Sequence, residues 1–231
     1  MQNISFQQSL EHEFSKDFGF DGFSYNLKEC FKKYNIILIS NFSFGGGNDG
    51  LPPELPRIQL NDEFGYYSIS MSLRRVDFKV DCTNFDFSFD KFKILGGEII
   101  NVLKELGAEP FKRSVSTSVV IKMDKPVEYM RKHLLNQNNA FFDSRLACNY
   151  SVSMTDGVEY EKGWALIRIT NISDAFRNID GGVTEKFIHV YREVNNFPSD
   201  ANYSRLSYDK FMEVGADNFS ERSIKDVLEL E

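Results

Sequence analysis

The stretch YYSISMSLRRVDFKVDCTNFDFSFDKFKILGGEIINVLKELG, residues 66–107, contains both kinds of regular structure that this chain is expected to use. Its first part alternates apolar and polar residues, which is typical of strands with one buried face. The alternation shifts by one residue at Arg74 and Arg75, and such a shift indicates a β-bulge or a hairpin turn. The stretch therefore predicts one bent strand or two paired strands, followed by a helix.

The second part has the three-to-four spacing of an amphipathic helix over residues 88–106. Ser88 stands where an N-cap is needed, and Gly107 follows the last apolar residue, where a left-handed residue ends many helices. A related pattern, LSYDKF at residues 206–211, opens a closing helical region at residues 208–230. The repeated Ser-aromatic-Asp-Lys-Phe pattern predicts two related halves, each with strands followed by a helix.

Shorter patterns predict the other elements. They are a helix after Ser24, strands at residues 35–44, 56–60, 115–123 and 185–195, a helix that begins near Pro126, and a hairpin at residues 145–171 with its turn at Asp156-Gly157. Residues 1–22 show no periodicity that assigns them. Together the elements predict an α+β fold with a mainly antiparallel sheet in two related halves, residues 1–123 and 124–231, in one compact unit with helices packed on the sheet.

The composition is that of a folded protein with an aromatic core. The chain has 22 Phe among 231 residues, and each buried ring removes a large apolar area from water. In the run DCTNFDFSFD, residues 81–90, we expect a strand that seats Phe85, Phe87 and Phe89 in the core. If these rings face solvent instead, they form an interaction patch.

The net charge of -7 opposes non-specific binding to nucleic acid, whose affinity depends on Lys and Arg. The region between Lys112 and Lys132 is locally basic, and a solvated charged surface is the simpler interpretation of it. The alternative is a face that binds nucleic acid or a nucleotide through Arg113, Lys122, Lys125, Arg131 and Lys132.

Three cysteines, Cys30, Cys82 and Cys148, lie far apart without metal-ligand spacing, which favours a reducing compartment. The first residues lack the basic and apolar regions of a signal peptide, and the longest strongly apolar run, Ile36 to Ile39, is too short to span a membrane. We therefore expect a soluble, cytoplasmic protein with no membrane partner, and the spacing of its cysteines and histidines predicts neither a cofactor nor a metal site.

Two stretches invite a catalytic interpretation. The glycine-rich residues 45–50 follow a strand, but no helix start and no Lys follow them, so a flexible connection is predicted rather than a phosphate loop. Asp62, Asp77 and Lys79 fit the pattern of metal-dependent nucleases, in which one carboxylate precedes a strand that carries a second carboxylate and a lysine. An exposed Asp-x-Lys on an amphipathic strand explains the same pattern.

The C-terminal part carries a resemblance, in FIHVYREVNNFPSD at residues 187–200 and in LSYDKFMEVGADNFSERSIKDVLEL at residues 206–230. The residues that carry it are Tyr191, Arg192, Phe197, Pro198, Phe211 and Phe219. These segments resemble a sporadically distributed family of uncharacterised bacterial proteins with two strand-rich halves, each followed by a helix. The likeness covers about half of the chain. It departs at Pro52-Pro53, which is internal here, and at SVSTSVVIKM, residues 114–123, where the family tends to carry a Gly-Leu-Arg-Tyr element.

Three functions follow from these patterns. The preferred one is a non-enzymatic binding or interaction protein with another protein as its partner. The resemblance implies an accessory factor of a bacterial mobile or defence locus. The alternatives are a metal-dependent nuclease that uses Asp62, Asp77 and Lys79, and a nucleic-acid or nucleotide binder that uses the basic residues between Arg113 and Lys132.

Overall fold

The computed structural model describes residues 1–12, 19–43, 52–134, 151–162, 164–179, 183–196 and 206–230. The strands are β1 Gln2–Glu11, β2 Leu38–Ser43, β3 Ile58–Asp62, β4 Tyr67–Met71, β5 Arg75–Asp81, β6 Lys112–Lys122, β7 Ser151–Glu161, β8 Trp164–Ile179 and β9 Val183–Asn195. The helices are α1 Phe20–Lys32, α2 Phe89–Glu105, α3 Pro126–His133, α4 Tyr208–Phe219 and α5 Glu221–Leu228. Among these helices, none is long and apolar enough to cross a membrane.

All nine strands form one sheet in the order β2-β3-β4-β5-β1-β6-β9-β8-β7, and every neighbouring pair is antiparallel. The α+β class with a mainly antiparallel sheet is therefore confirmed. The central strand β1 comes from the first residues, to which no pattern could be assigned. Its pairing with β6 joins strands β2–β5 to strands β7–β9.

The helices pack on one face of this sheet. Alternation along β1 turns Phe6, Gln8 and Leu10 towards the helices. Their register partners on β6 face the same side, and they are Thr117, Val115 and Arg113. The rings of Phe6 and Phe78 lie 5.6 and 5.1 Å from the ring of Phe92 on α2. Helices α3 and α5 contribute Met130, Ile224 and Leu228 to a second cluster on the same side. The opposite face, which none of the described helices covers, is called the helix-free face below.

The aromatic core predicted from composition is confirmed in its main part, because Phe6, Phe78, Phe92 and Phe211 are buried in one cluster. The strand predicted for residues 81–90 is wrong beyond Asp81, where β5 ends. Phe87 reaches the core from the connection to α2, and Phe85 and Phe89 pack against it only partly buried. The rings thus pack inward without a ladder of backbone hydrogen bonds.

The predicted helix ends are confirmed. Ser88 accepts a hydrogen bond from the backbone N–H of Lys91 at 3.2 Å, and Ser207 accepts one from Lys210 at 3.2 Å. Gly107 follows α2 with φ of 77°, a conformation that glycine adopts without strain. The capping pattern repeated in the sequence therefore begins both α2 and α4.

Strand pairing settles one open alternative and corrects one prediction. The phase shift near Arg74 is a hairpin, because β4 ends at Met71 and the Ser72 N–H donates to the Arg75 carbonyl at 2.8 Å. The turn predicted at Asp156-Gly157 is wrong, since both residues lie inside β7, opposite Arg168 and Ile167 of β8. Asp156 forms an ion pair with Arg168 across the strands, which favours the extended ladder over the turn.

Several predictions fall on residues outside the described ranges. They are the glycine-rich loop at residues 45–50, Cys148, and residues 145–150 of the predicted hairpin. The part of that hairpin within residues 151–171 is described, and there β7 and β8 pair antiparallel.

Two glycines allow the helices to approach the central strands. A methyl group added at Gly96 of α2 would lie 2.2 Å from Oε1 of Gln8 and 2.5 Å from the Tyr208 hydroxyl. One added at Gly215 of α4 would lie 3.0 Å from a methyl of Val115 and 3.4 Å from the ring of Phe89. Gln8 and Val115 are register partners in the β1–β6 pair, so α2 and α4 meet adjoining strands in the same manner.

Candidate functional site

The helix-free face is covered by short polar side chains. An antiparallel sheet can face water on one side, and its outward positions are then polar. By register, the serine, asparagine and glutamine side chains at outward positions of strands β3, β4, β1, β6 and β8 are Gln59, Asn61, Ser68, Ser70, Ser5, Gln7, Ser9, Ser114, Ser116, Ser118, Asn171 and Ser173. Charged side chains share this face with the hydroxyls and amides, and they are Glu11, Arg75, Asp77, Lys79, Lys112 and Glu193 among others.

The centre of this face forms a cavity of about 480 Å³, which we call the serine cleft. Two neighbouring rows of the sheet build it: Gln7, Ser116, Glu193, Ile169 and Thr155 in one, and Ser9, Ser114, Asn195 and Ile167 in the other. The floor of the cleft consists of the short side chains of Ser9, Ser114 and Ser116, and longer side chains surround them. The cleft therefore results from side-chain size on an open sheet.

One wall of the cleft is a bonded group around Arg75. Its Nε donates to Oδ1 of Asp77 at 2.7 Å, and its Nη2 donates to Oγ of Ser9 at 2.9 Å. The Ser9 hydroxyl in turn donates to Oδ1 of Asp77 at 2.5 Å. Beside this group, Lys112 Nζ lies 2.6 Å from Oε1 of Glu11. Each of these two cations thus has a carboxylate at hydrogen-bond distance.

Glu193 organises the opposite wall. The Tyr191 hydroxyl donates to Glu193 Oε2 at 2.6 Å, and Asn195 Nδ2 donates to Oε1 at 2.9 Å. Burial, assisted by the Glu193 carboxylate, raises the pKa of Tyr191 to about 12. The hydroxyl therefore stays neutral near pH 7 and acts as a hydrogen-bond donor to Glu193.

A second cavity of about 530 Å³ adjoins the serine cleft and shares Glu11 and Arg75 with it. Phe111 lines this cavity and keeps 39% of its surface exposed. Arg74, on its edge, lies 3.0 Å from the carboxylate of Glu54. We call it the Phe111 cavity, and the two adjoining cavities together are called the groove.

The three residues of the predicted nuclease site do not share one face. Asp77 and Lys79 lie on the helix-free face, and Asp77 belongs to the Arg75 group of the serine cleft. Asp62 ends β3 on the helix-covered side by alternation with the buried Leu60, and it accepts the Tyr67 N–H at 2.7 Å. Within the described ranges, no group of three or more His, Cys, Asp or Glu side chains has the arrangement of a metal site.

The basic residues predicted to bind phosphate also separate. Arg113 points to the helix-covered side, is 7% exposed, and donates to the Leu206 carbonyl at 3.0 Å. Lys122 lies on the helix-free face, 2.6 Å from Glu185. Lys125 lies 3.1 Å from Glu128 at the start of α3, and Arg131 and Lys132 follow on the same helix. The structure therefore divides this set between two sides of the sheet.

Sequence reasoning missed the serine cleft. Its lining residues are spread from Gln7 to Asn195, and only strand register brings them together. One signal was present: SVSTS at residues 114–118 places serine at every second position, which is unusual for a central strand. A run of this kind indicates a polar sheet face with low side chains.

Comparison with known proteins assigns no family: neither a protein-family model nor a curated protein matches the chain. The resemblance of residues 187–230 to a sporadic bacterial family stays a prediction. The geometry of the serine cleft is thus the main basis for a functional proposal.

Proposed function

We propose that this protein is a non-enzymatic binding protein that holds its ligand in the serine cleft of the helix-free face. The observation that carries the proposal is the bonding inside the cleft. Arg75 and Lys112 are engaged by Asp77 and Glu11, and Glu193 is engaged by Tyr191 and Asn195. General acid or base catalysis requires a group aimed at the reacting atom with a pKa near the working pH. A cleft whose charges satisfy one another is better suited to recognition.

The chemistry of the face supports reversible binding. Serine and asparagine provide adaptable hydrogen bonds, and tyrosine provides a rigid amphipathic surface, as in other recognition surfaces. The sequence predicts a protein partner, and a partner protein that inserts a side chain or a loop into the cleft is one form that this binding can take. An association with a mobile or defence locus rests on the family resemblance alone.

We also propose that the two halves of the chain arose by duplication. The pattern Ser-aromatic-Asp-Lys-Phe extends by four residues to a glycine in both copies, SFDKFKILG at residues 88–96 and SYDKFMEVG at residues 207–215. The aromatic residue of each copy contacts the glycine of the other, Tyr208 at Gly96 and Phe89 at Gly215. A reciprocal contact of this kind supports two units related by a pseudo-two-fold axis between β1 and β6.

Capture from a lysate of the native host tests the binding proposal with one matched pair of variants. Ser114→Trp fills the serine cleft, whereas Ser68→Trp adds the same ring on β4 of the same face, outside the cleft. Both serines are half-buried. Mass spectrometry of proteins and small molecules should find species that wild type and Ser68→Trp retain and that folded Ser114→Trp loses. Equal retention by all three proteins would refute the proposal.

A further inference from the structure

We infer that the groove formed by the serine cleft and the Phe111 cavity binds a neutral saccharide of at least two sugar units. One unit lies over the serine floor and the next lies against Phe111. This inference rests on the proposed binding function and names the chemical class of the ligand. It is argued from charge, from hydrogen-bonding capacity and from the position of the apolar side chains.

Charge favours a neutral ligand. The serine cleft is lined by two cations, Arg75 and Lys112, and by two carboxylates, Glu11 and Glu193. Both ion pairs are partly exposed, and a charged ligand would compete with the carboxylate that each cation already has at hydrogen-bond distance. A neutral ligand can hydrogen-bond to the outer atoms of these groups while the pairs stay intact.

Hydrogen-bonding capacity favours a ligand with many hydroxyls. Ser114 and Ser116 on the floor carry hydroxyls, which both donate and accept as a sugar hydroxyl does. The Ser9 hydroxyl already donates to Asp77, so towards a ligand it is an acceptor. A carboxylate offers about four acceptor sites, so Glu193 can accept further bonds besides those from Tyr191 and Asn195. Sites built to bond hydroxyls discriminate strongly against analogues that lack them.

Apolar side chains lie where the C–H faces of sugar rings need them. Ile167 and Ile169 line the β8 side of the serine cleft. Phe111 presents a ring that is 39% exposed in the adjoining cavity. The face of an aromatic ring is electron-rich, so it attracts the weakly positive C–H groups of a pyranose. The groove thus offers both polar and apolar side chains, which match the hydroxyls and the C–H faces of a saccharide.

The size and continuity of the groove set the minimum length of the ligand. The two cavities measure about 480 and 530 Å³, and each lies within the range of roughly 300–1,000 Å³ typical of small-molecule sites. Glu11 and Arg75 line both cavities, so the cavities adjoin and the inferred ligand would pass over these two side chains from one to the other. A linked pair of sugars fits this arrangement better than two separate ligands.

Titration of the full chain with a panel of neutral disaccharides tests the inference. Cellobiose, maltose, lactose and chitobiose are added to ¹⁵N-labelled protein, with glucose 6-phosphate as a charged probe. At least one disaccharide should bind saturably, shift the amides of Ser9, Ser114 and Asn195, and bind equally at low and high salt. Phe111→Ala should weaken that binding about tenfold, which corresponds to roughly 1.4 kcal/mol. Phe64→Ala, a change at a ring that is 72% exposed in the β3–β4 turn, should leave the affinity unchanged.

Two results overturn the saccharide assignment: no disaccharide binds saturably, or only glucose 6-phosphate binds. In either case, capture from lysate with the wild type, Ser68→Trp and Ser114→Trp tests separately whether the serine cleft binds any ligand. A retained species that Ser114→Trp loses would leave a binding function with another ligand class, a partner protein included. Absence of both signals would refute the saccharide and the binding function together.

Discussion

Replacement of Gly96 by alanine tests the packing of α2 against Gln8 of β1 and Tyr208 of α4. Gly96 lies in α2, and a methyl group there would come within 2.2 Å of Gln8 Oε1 and 2.5 Å of the Tyr208 hydroxyl. The single hydrogen of the Tyr208 hydroxyl is shared between two acceptors, Gln8 Oε1 at 2.9 Å and the Lys93 carbonyl at 3.0 Å. The added methyl group must therefore displace Gln8, Tyr208 or both.

The net effect follows from three contributions. Alanine gains about 1 kcal/mol over glycine in a helix interior. Displacement of the buried hydrogen bond costs about 1 kcal/mol, and overpacking of a close contact costs about 1–3 kcal/mol. We therefore expect Gly96→Ala to lower the free energy of unfolding by about 1–3 kcal/mol.

Urea denaturation followed by circular dichroism measures this difference, and Gly22→Ala is the matched control. Gly22 is an exposed residue of α1 with no atom within 4 Å of an added methyl group. Alanine there should stabilise the protein by up to about 1 kcal/mol, because only helix propensity changes. Stabilisation by Gly96→Ala as large as that by Gly22→Ala would show that Gln8 and Tyr208 do not restrict the space at residue 96.

Three further predictions concern the helix ends and the β7–β8 pair. Arg192 is fully buried, and its Nη1 donates to the Asn218 carbonyl at 2.8 Å. Arg192→Met should therefore lower the free energy of unfolding by about 2–4 kcal/mol in urea denaturation. Arg177→Met, a control at an exposed site, should change it by less than about 0.5 kcal/mol. Ser207→Ala removes the N-cap of α4 and should cost about 1 kcal/mol in the same assay; no change would contradict the capping role. The hydrogen bond from Arg168 depresses the pKa of Asp156, so the contribution of this carboxylate is present above about pH 4 and is lost as the pH falls through the depressed pKa. The stability difference between wild type and Asp156→Asn should therefore narrow below about pH 4, and a constant difference from pH 7 to pH 3 would contradict this assignment.

Local signals predicted α2 and both helix caps because neighbouring residues determine them. Ser88, the three-to-four spacing and Gly107 act within one helix, so their effect can be read without the rest of the fold. Strand β1 had no such signal, because Gln8 occupies an inward position that alternation reserves for an apolar residue. The buried side chain of Gln8 accepts a hydrogen bond from Tyr208, a residue distant in sequence.

Register explains why the site was harder to predict than the fold. Asp156-Gly157 has the composition of a turn, but pairing with Arg168 and Ile167 keeps it extended. Asp62 and Asp77 each fit a nuclease pattern, but the parity of their positions in β3 and β5 places them on opposite sides of the sheet. The serine cleft requires the alignment of β1, β6, β9 and β8, and that alignment is not encoded in any short segment.

The proposed binding function places the ligand on the helix-free face. Amide chemical-shift mapping of the ¹⁵N-labelled full chain, titrated with the species that the Ser114→Trp comparison identifies, locates the binding surface. We predict that the largest changes fall on Ser9, Ser114, Tyr191 and Asn195, and that α1 and α2 are unaffected. Largest changes on the helices, with these four amides unchanged, would show that the ligand binds elsewhere.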